Sequence, residues 1–134
     1  MYSSRRSILL IDDDPLFLKL LSETFQENGF SVTTANDGIE GIKAFIDNSP
    51  DVVICDMIMP RMGGVSACME ISRRAGSHEP VIVLLTSMFH GVPHEHEMPE
   101  MGARVHLSKS TSPLDVVIIV EQLLERKKIL QTTD

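Results

Sequence analysis

Short apolar runs alternate along the chain with longer segments in which apolar residues recur every three or four positions. A short apolar run is typical of a buried strand, and the longer spacing is typical of a helix with one apolar face. The predicted strands are residues 7–11, 30–34, 51–55, 80–85 and 103–107. The predicted helices are residues 15–28, 37–47, 65–74, 93–101 and 113–130.

Three of the predicted helices carry a clear apolar face that we expect to point toward a core. In the first helix this face comprises Leu16, Phe17, Leu20, Leu21, Thr24 and Phe25. In the second helix it comprises Ile39, Ile42, Phe45 and Ile46. In the last helix it comprises Val116, Val117, Val120, Leu123 and Leu124.

Five strands that alternate with five helices predict an α/β fold, a doubly wound five-stranded parallel sheet with helices on both faces. The commonest arrangement of such units has the strand order 2-1-3-4-5, with a ligand crevice at the carboxyl ends of the strands. We expect a flexible N-terminus over residues 1–6 and a folded domain over residues 7–128. Residues 129–134 are expected to be a tail or the start of a linker.

Composition narrows the classes of function. The length of 134 residues suits one domain, and the net charge of −7 argues against direct nucleic-acid binding, which needs clustered lysines and arginines. No apolar run approaches the length of a membrane span, so we expect no membrane contact. Cys55 and Cys68 are expected to be small core residues in a reducing cytoplasm rather than redox groups.

Polar side chains follow four of the predicted strands, at the point where each strand ends. Residues 12–14 are three aspartates after the first strand, and Asp56 follows the third. Thr86 follows the fourth strand, and Lys109 follows the fifth. Because the carboxyl ends of parallel strands meet at one edge of the sheet, we expect these side chains to lie close together.

Several carboxylates in one small crevice repel one another, unless a cation lies among them. Mg²⁺ suits such a site, because it prefers carboxylates, waters and a substrate phosphate as ligands. Asp56 could then attack phosphorus, since carboxylates form aspartyl phosphates. Lys109 would offset charge on the transferring group, and the Thr86 hydroxyl would hydrogen-bond one of its oxygens.

Four signatures in order make a family resemblance specific. They are ILLIDDDP at residues 8–15, DMIMPRMGG at 56–64, LTS at 85–87 and LSK at 107–109. With these, the sequence resembles the receiver domains of bacterial response regulators over about residues 7–128, nearly the whole chain. The resemblance implies a flavodoxin-like fold and a signalling role in a two-component phosphorelay rather than an enzyme with a separate substrate.

The resemblance also implies roles for individual residues. Asp12, Asp13 and Asp56 would hold Mg²⁺ together with the main-chain carbonyl of Ile58. Asp56 would accept a phosphoryl group from a phosphohistidine on a sensor histidine kinase or a phosphotransfer protein. An effector domain or partner protein would receive the signal, and a homodimer is a further expectation.

The implied switch connects the phosphoryl site to an output surface. Thr86 would move toward the phosphoryl group on activation, and Lys109 would pair with that group. His106 occupies the position of the second switch residue. The surface that changes would comprise the fourth helix, the fifth strand and the fifth helix. Apolar Ile58 and Met88 would flank the site and slow the loss of phosphate to water.

Two positions depart from the family pattern. Ser110 follows Lys109, where receiver domains usually have a proline after a cis bond, so either the bond is trans or a costly cis bond is retained. His106 stands where a tyrosine or phenylalanine is usual, and Pro99 interrupts the fourth helix, which belongs to the usual output surface.

These departures keep open an alternative function, a phosphorylation-independent interaction module of the same fold. Three other hypotheses about function have less support. A haloacid-dehalogenase-type phosphatase would carry a DxDxT pattern after its first strand, and a dinucleotide-binding fold would carry GxGxxG there. This sequence has DDDP at that place, which matches neither pattern. His90, His94 and His96 could suggest a transition-metal site, but Gly91 and Pro93 spoil a helical ligand spacing.

Overall fold

The computed structural model describes residues 6–57, 63–86 and 105–131. The strands are β1 (Ser7–Ile11), β2 (Ser31–Ala35), β3 (Val52–Asp56), β4 (Val81–Thr86) and β5 (Val105–Ser108). The helices are α1 (Pro15–Glu27), α2 (Gly38–Asn48), α3 (Gly64–Ala75) and α4 (Pro113–Gln131), so α4 is the last of the predicted helices. Several sequence predictions concern residues outside the described ranges. They are the helix at 93–101, the three histidines within 90–96, Met88 and Ile58.

The five strands form one parallel sheet in the order β2-β1-β3-β4-β5, as predicted. The register places Ile8 opposite Val52 and Cys55 opposite Leu84. Every residue of β3 and β4 is buried, which explains why both strands are almost continuously apolar. The sheet therefore carries its strand ends, and the side chains that follow them, to one edge.

Two hydrophobic cores lie on opposite faces of the sheet, because successive strand side chains point to opposite faces. One core contains Ile8, Leu10 and Ile54 from the strands, together with buried residues of α1 and α4. The other contains Leu9 and Ile11, together with buried residues of α2 and α3. Helices thus cover both faces, as the alternation of apolar runs predicted.

Helices α1 and α2 begin at side-chain caps that the sequence offers. Asp14 accepts hydrogen bonds from the main-chain N–H groups of Leu16 and Phe17, and Pro15 occupies the first turn of α1. Asp37 caps α2 in the same way, accepting from Glu40 N at 2.9 Å. These caps fix the point at which the chain turns from each strand end into the following helix.

The buried face of α1 differs from the predicted one. Leu18, Leu21 and Phe25 are buried, whereas Leu16 and Leu20 are 65% and 50% exposed. The prediction of Leu16 and Leu20 as core residues was therefore wrong. Apolar residues occupy much of the circumference of this helix, so their spacing alone could not select the face that meets the sheet.

A similar correction applies to α2. Its buried residues are Gly38, Gly41 and Phe45, and the predicted core residues Ile39 and Ile46 are half-exposed. A Cβ on Gly41 would overlap the Ile11 side chain, so the glycine lets the helix approach β1 closely. The contact turns the glycine side of α2 toward the sheet, and the two isoleucines turn away.

The C-terminal helix agrees with its predicted face. Val116, Val117 and Val120 are buried in α4, and Leu123 and Leu124 pack at the edge of the same core. The helix ends at Gln131, beyond the predicted domain end at residue 128. Among the described residues, none of the helices combines the length and apolar character needed to cross a membrane.

Candidate functional site

Three carboxylates meet at the carboxyl edge of the sheet. Asp12 follows β1, Asp13 comes next, and Asp56 is the last residue of the neighbouring strand β3. One oxygen from each of the three carboxylates lies within 4.8 Å of the others. Asp12 and Asp56 are only 2% and 6% exposed, whereas Asp13 is open to solvent. The three carboxylates therefore form a cluster of oxygen atoms that is buried at Asp12 and Asp56 and open to solvent at Asp13.

The Asp12 carboxylate is held in place by its own chain. Its Oδ1 accepts a hydrogen bond from Asp14 N at 2.9 Å, and its main-chain N–H donates to Ala35 O at 3.1 Å. Because Asp14 in turn caps α1, the turn between β1 and α1 is fixed at both ends. Asp14 therefore serves as a helix cap and is absent from the carboxylate cluster.

Lys109 supplies a positive charge to the same cluster. Its Nζ lies 2.8 Å from Oδ2 of Asp12 and 3.7 Å from Oδ2 of Asp56. Burial by itself lowers the pKa of this lysine, but the hydrogen bond and charge of Asp12, with the charge of Asp56, raise the pKa above its ordinary value. The ammonium group is therefore firmly protonated within the site.

The backbone places Lys109 by continuing the sheet beyond β5. Its main-chain N–H donates to Thr86 O at 2.8 Å, which extends the pairing of β4 with β5. Every peptide bond among the described residues is trans, and this includes the bond from Lys109 to Ser110. Of the two conformations left open by the sequence, the structure has the unstrained one.

An aromatic ring also contacts the lysine. The Nζ atom of Lys109 lies 4.5 Å from the ring centroid of Phe17, within the range of a cation–π interaction. Sequence reasoning missed this role and assigned Phe17 only to the core-facing side of α1. The available signal was an aromatic residue in the first turn of the helix that directly follows the aspartates.

Thr86 ends β4 at the same edge of the sheet, next to the strand that carries Asp56. It is buried, at 4% exposed, and lies opposite Ser108 in the register of β4 and β5. Leu85, its neighbour, lies opposite Asp56, and Leu85 O accepts a hydrogen bond from Met57 N. The structure therefore brings Thr86 to the strand ends where the sequence predicted it.

A glycine lets the chain turn closely around Asp56. Gly64 begins α3, and its N–H donates to Met57 O at 3.0 Å. A Cβ on Gly64 would overlap the main-chain oxygen of Asp56 and lie 2.8 Å from its carbonyl carbon. At Gly63 a Cβ would only touch Met57 O at 3.5 Å, an ordinary contact. Gly64 is thus the residue that permits the close approach.

His106 lies in β5 opposite Leu84, three residues before Lys109. It is partly buried, and burial lowers the pKa of its imidazole below the ordinary value of 6.5. The predicted switch position is therefore occupied by a side chain that favours its neutral form. The predicted helix at 93–101, which belongs to the same expected output surface, lies outside the described residues.

The two cysteines lie beneath the site in one core. Both are free and fully buried, Cys55 on β3 and Cys68 on α3. The pKa of the Cys55 thiol is raised by its hydrogen bond with Cys68, by burial, and by nearby charges that include Asp56. A raised pKa keeps the thiol protonated and unreactive, which agrees with the predicted packing role.

Comparison with known proteins places this geometry in context. The family described as "Response regulator receiver domain" matches residues 8–121. A curated relative, the probable transcriptional regulator ycf27 of Guillardia theta, is 32% identical over 123 residues, which cover 92% of this chain and 47% of that protein. The chain thus spans about half the length of this relative, and it spans a third of the response regulator MprA of Mycobacterium sp. (strain KMS).

Solved structures of similar chains share the whole fold. A response regulator receiver domain protein from Clostridium thermocellum has a TM-score of 0.77 and 29% identity, and the match covers 93% of this chain and 98% of that one. The chemotaxis protein CheY4 of Vibrio cholerae has a TM-score of 0.81 and 26% identity, and the match covers 89% of this chain and 98% of that one.

Proposed function

Because this chain belongs to the response regulator receiver domain family of two-component systems, we propose that it is a switch phosphorylated on Asp56. The observation that supports this function is the meeting of three carboxylates with one lysine ammonium at the strand ends. A carboxylate nucleophile, oxygen ligands for a dication and a nearby cation are the parts that phosphoryl transfer requires.

We propose Mg²⁺ as the metal, bound by the carboxylates of Asp12, Asp13 and Asp56. Oxygen ligands close to one another suit a hard dication, and the exposed side at Asp13 leaves room for waters. The main-chain carbonyl of Ile58 is proposed as a further ligand. A bound dication supplies neutralisation of charge on the phosphoryl oxygens.

The proposed transfer step involves one bond made and one bond broken. A carboxylate oxygen of Asp56 attacks the phosphorus of a phosphohistidine, a new P–O bond forms, and the P–N bond breaks with its electron pair returning to the imidazole. Lys109, already 3.7 Å from Asp56, pairs with the phosphoryl oxygens once they arrive. The Thr86 hydroxyl donates a hydrogen bond to another phosphoryl oxygen, so the position of Thr86 depends on whether Asp56 is phosphorylated.

The proposed output follows from the movement of Thr86 and His106. Thr86 ends β4, and His106 lies in the adjacent strand β5. A shift of Thr86 toward the phosphoryl group would therefore free space beside β5. We propose that the surface around β5, α4 and the predicted helix at 93–101 changes conformation and contacts an effector domain, a partner protein or a second copy. The curated relative named a transcriptional regulator supports an effector domain as the receiver of the signal.

The donor is proposed to be a sensor histidine kinase or a phosphotransfer protein, and the exchange is proposed to occur in the cytoplasm. The two free cysteines fit a reducing compartment. We further propose that the only reactions catalysed are the protein's own phosphorylation and a slow autodephosphorylation. We propose that the loss of phosphate is slow because Ile58 and Met88, which follow Asp56 and Thr86 by two residues in the sequence, are apolar and would impede an attacking water.

Incubation with acetyl phosphate and Mg²⁺, followed by intact-mass measurement, tests this function. We expect wild type to gain the mass of one phosphoryl group and the Asp56→Ala variant to gain none. Asp14→Asn is the matched control, because Asp14 is a nearby aspartate whose capping role asparagine can also perform. It should be labelled like wild type.

The alternative is an interaction module that works without phosphorylation, and the unusual His106 and Ser110 favour it. Under that alternative, wild type and Asp56→Ala would both stay unlabelled by acetyl phosphate. Labelling of both proteins to the same extent would instead place the acceptor at another residue. Either result would overturn the proposed role of Asp56.

A further inference from the structure

We propose that Phe17 is a positioning residue for phosphoryl transfer, whose ring holds the Lys109 ammonium beside the carboxylates. This inference rests on the proposed function, since it names how one group of that site is kept in place. Its evidence is the contact of the Phe17 ring with the Lys109 Nζ, 4.5 Å from the ring centroid. Phe17 touches no reacting atom, so its action is through Lys109.

In the part of the chain that the structure describes, the Lys109 ammonium contacts Asp12, Asp56 and Phe17, which differ in what they restrain. Asp12 lies at 2.8 Å and Asp56 at 3.7 Å, so charge alone favours Asp12. A phosphoryl group on Asp56 would need the ammonium on its own side of the site. The face of an aromatic ring attracts a cation without competing as a charged ligand, so Phe17 can hold the ammonium and still release it toward Asp56.

The ring itself is fixed by the chain segment that carries the carboxylates. Phe17 N donates to Oδ1 of Asp14, whose own N–H donates to Oδ1 of Asp12. The Phe17 side chain is partly buried against the core between α1, α4 and the sheet. A single turn of chain therefore orients both the Asp12 carboxylate and the aromatic ring that Lys109 contacts.

The hydrogen bond from Lys109 N to Thr86 O fixes the main chain of Lys109 but not the rotamers of its side chain. The next residue, Ser110, is exposed; its N–H donates to the Ser108 hydroxyl, and the two serine hydroxyls share a second hydrogen bond. A lysine side chain has many rotamers, which cost about 2 kcal/mol of entropy to fix. Side-chain contacts, rather than a rigid backbone, must therefore select the position of the ammonium.

Two substitutions separate cation positioning from simple packing. Phe17→Leu keeps an apolar side chain of similar reach but removes the aromatic face, and Phe17→Tyr keeps the face. The control is Phe25→Leu, the same substitution on the same helix at a residue buried in the core and facing Phe30. It is expected to lower stability without altering Lys109.

The first measurement is independent of phosphorylation. In Mg²⁺-free protein, the Lys109 ε-methylene protons should resonate upfield in the NMR spectrum, because they lie near the face of the Phe17 ring. Phe17→Leu should remove this shift, whereas Phe17→Tyr and Phe25→Leu should retain it. An unshifted resonance in wild type would overturn the contact on which the inference depends.

The second measurement is the initial rate of labelling by acetyl phosphate at saturating Mg²⁺. Loss of a partly exposed cation–π contact corresponds to a change of about twofold to fivefold in rate, so we expect Phe17→Leu to be slower by that factor. Phe17→Tyr should recover most of the loss. Equal rates for wild type and Phe17→Leu would overturn the positioning role while leaving Asp56 as the acceptor. An equal loss of rate in Phe17→Leu and Phe17→Tyr would do the same. An unlabelled wild type would overturn the proposed function and this role together.

Discussion

The Nζ atom of Lys109 lies 2.8 Å from Oδ2 of Asp12, although their strands β5 and β1 are separated in the sheet by β3 and β4. Asp56, on the intervening strand β3, lies within reach of both. Among the described residues, one ammonium group thus lies beside a cluster of three carboxylates. This imbalance of charge decides how the protein should respond to substitutions and to a metal.

Neutralising Asp56 should stabilise the protein when no divalent cation is present. Asp56→Asn keeps the shape of the side chain and removes its repulsion with Asp12, while Lys109 keeps its closer partner. At an effective dielectric of 20, two unit charges about 4 Å apart interact by about 4 kcal/mol, so loss of the Lys109 attraction offsets loss of the Asp12 repulsion. The repulsion between Asp56 and Asp13 is also removed, and because water screens the exposed Asp13 we expect a net gain of only about 1 kcal/mol. Thermal unfolding in a chelator should show a melting temperature about 4 °C higher.

Asp14→Asn is the control for this prediction, because Asp14 lies outside the carboxylate cluster and caps α1. Its melting temperature in the chelator should stay close to that of wild type. A melting temperature for Asp56→Asn at or below the wild-type value would contradict the account of charge in the site.

Magnesium should raise the melting temperature of wild type, because a ligand that binds only the folded state stabilises it. At a concentration of 100 times Kd the gain is about 2.7 kcal/mol. Asp13→Ala should abolish the gain, since it removes the exposed carboxylate of the cluster. A Mg²⁺ titration followed by thermal unfolding measures this response.

Asp14→Ala separates loss of the metal from loss of stability. It should lower the starting stability by about 1 kcal/mol, because the cap of α1 is lost, yet respond to Mg²⁺ like wild type. If Asp13→Ala kept a full Mg²⁺ response, the proposed ligand set would be wrong.

Substitution of Gly64 should be far more damaging than substitution of its neighbour. The Cβ in Gly64→Ala would overlap the main-chain oxygen of Asp56, so the backbone around the acceptor must shift, at a cost of about 2 kcal/mol or more. Gly63→Ala meets only ordinary contacts and should cost less than about 1 kcal/mol. Urea unfolding of the two variants makes the comparison, and equal costs would contradict it.

His106 should make stability depend on pH in the weakly acidic range. Burial lowers the pKa of His106 in the folded protein below 6.5, so the unfolded chain takes up its proton first as the pH falls. His106 therefore leaves the free energy of unfolding unchanged at pH values above its pKa in the unfolded chain. As the pH falls from there toward the lower pKa of His106 in the folded protein, His106 lowers the free energy of unfolding. His106→Phe should remove this part of the dependence.

Urea unfolding at several values between about pH 7.5 and about pH 5.5 measures the effect, since the unperturbed histidine pKa lies in that range. His78 lies on the exposed turn after α3, and His78→Gln provides a matched control that should keep the wild-type slope. A slope for His106→Phe identical to that of wild type would exclude His106 as the cause.

The sequence by itself determined the class of fold and the edge at which the chemistry lies. Apolar runs and helical spacing are local properties of the chain, and their alternation leads to a parallel sheet with a single preferred strand order. Since Asp12 follows β1, Asp56 ends β3 and Lys109 follows β5, their meeting at one edge follows from that order.

Only the tertiary structure decided how the helices are rotated and what their side chains meet. Leu16 and Ile39 have the spacing of core residues but are exposed, because α1 and α2 present other sides to the sheet. The contact of Phe17 with Lys109 joins residues from the two ends of the chain. No local pattern encodes such a contact, because it depends on the distance and angle between elements that meet only when the whole domain has packed.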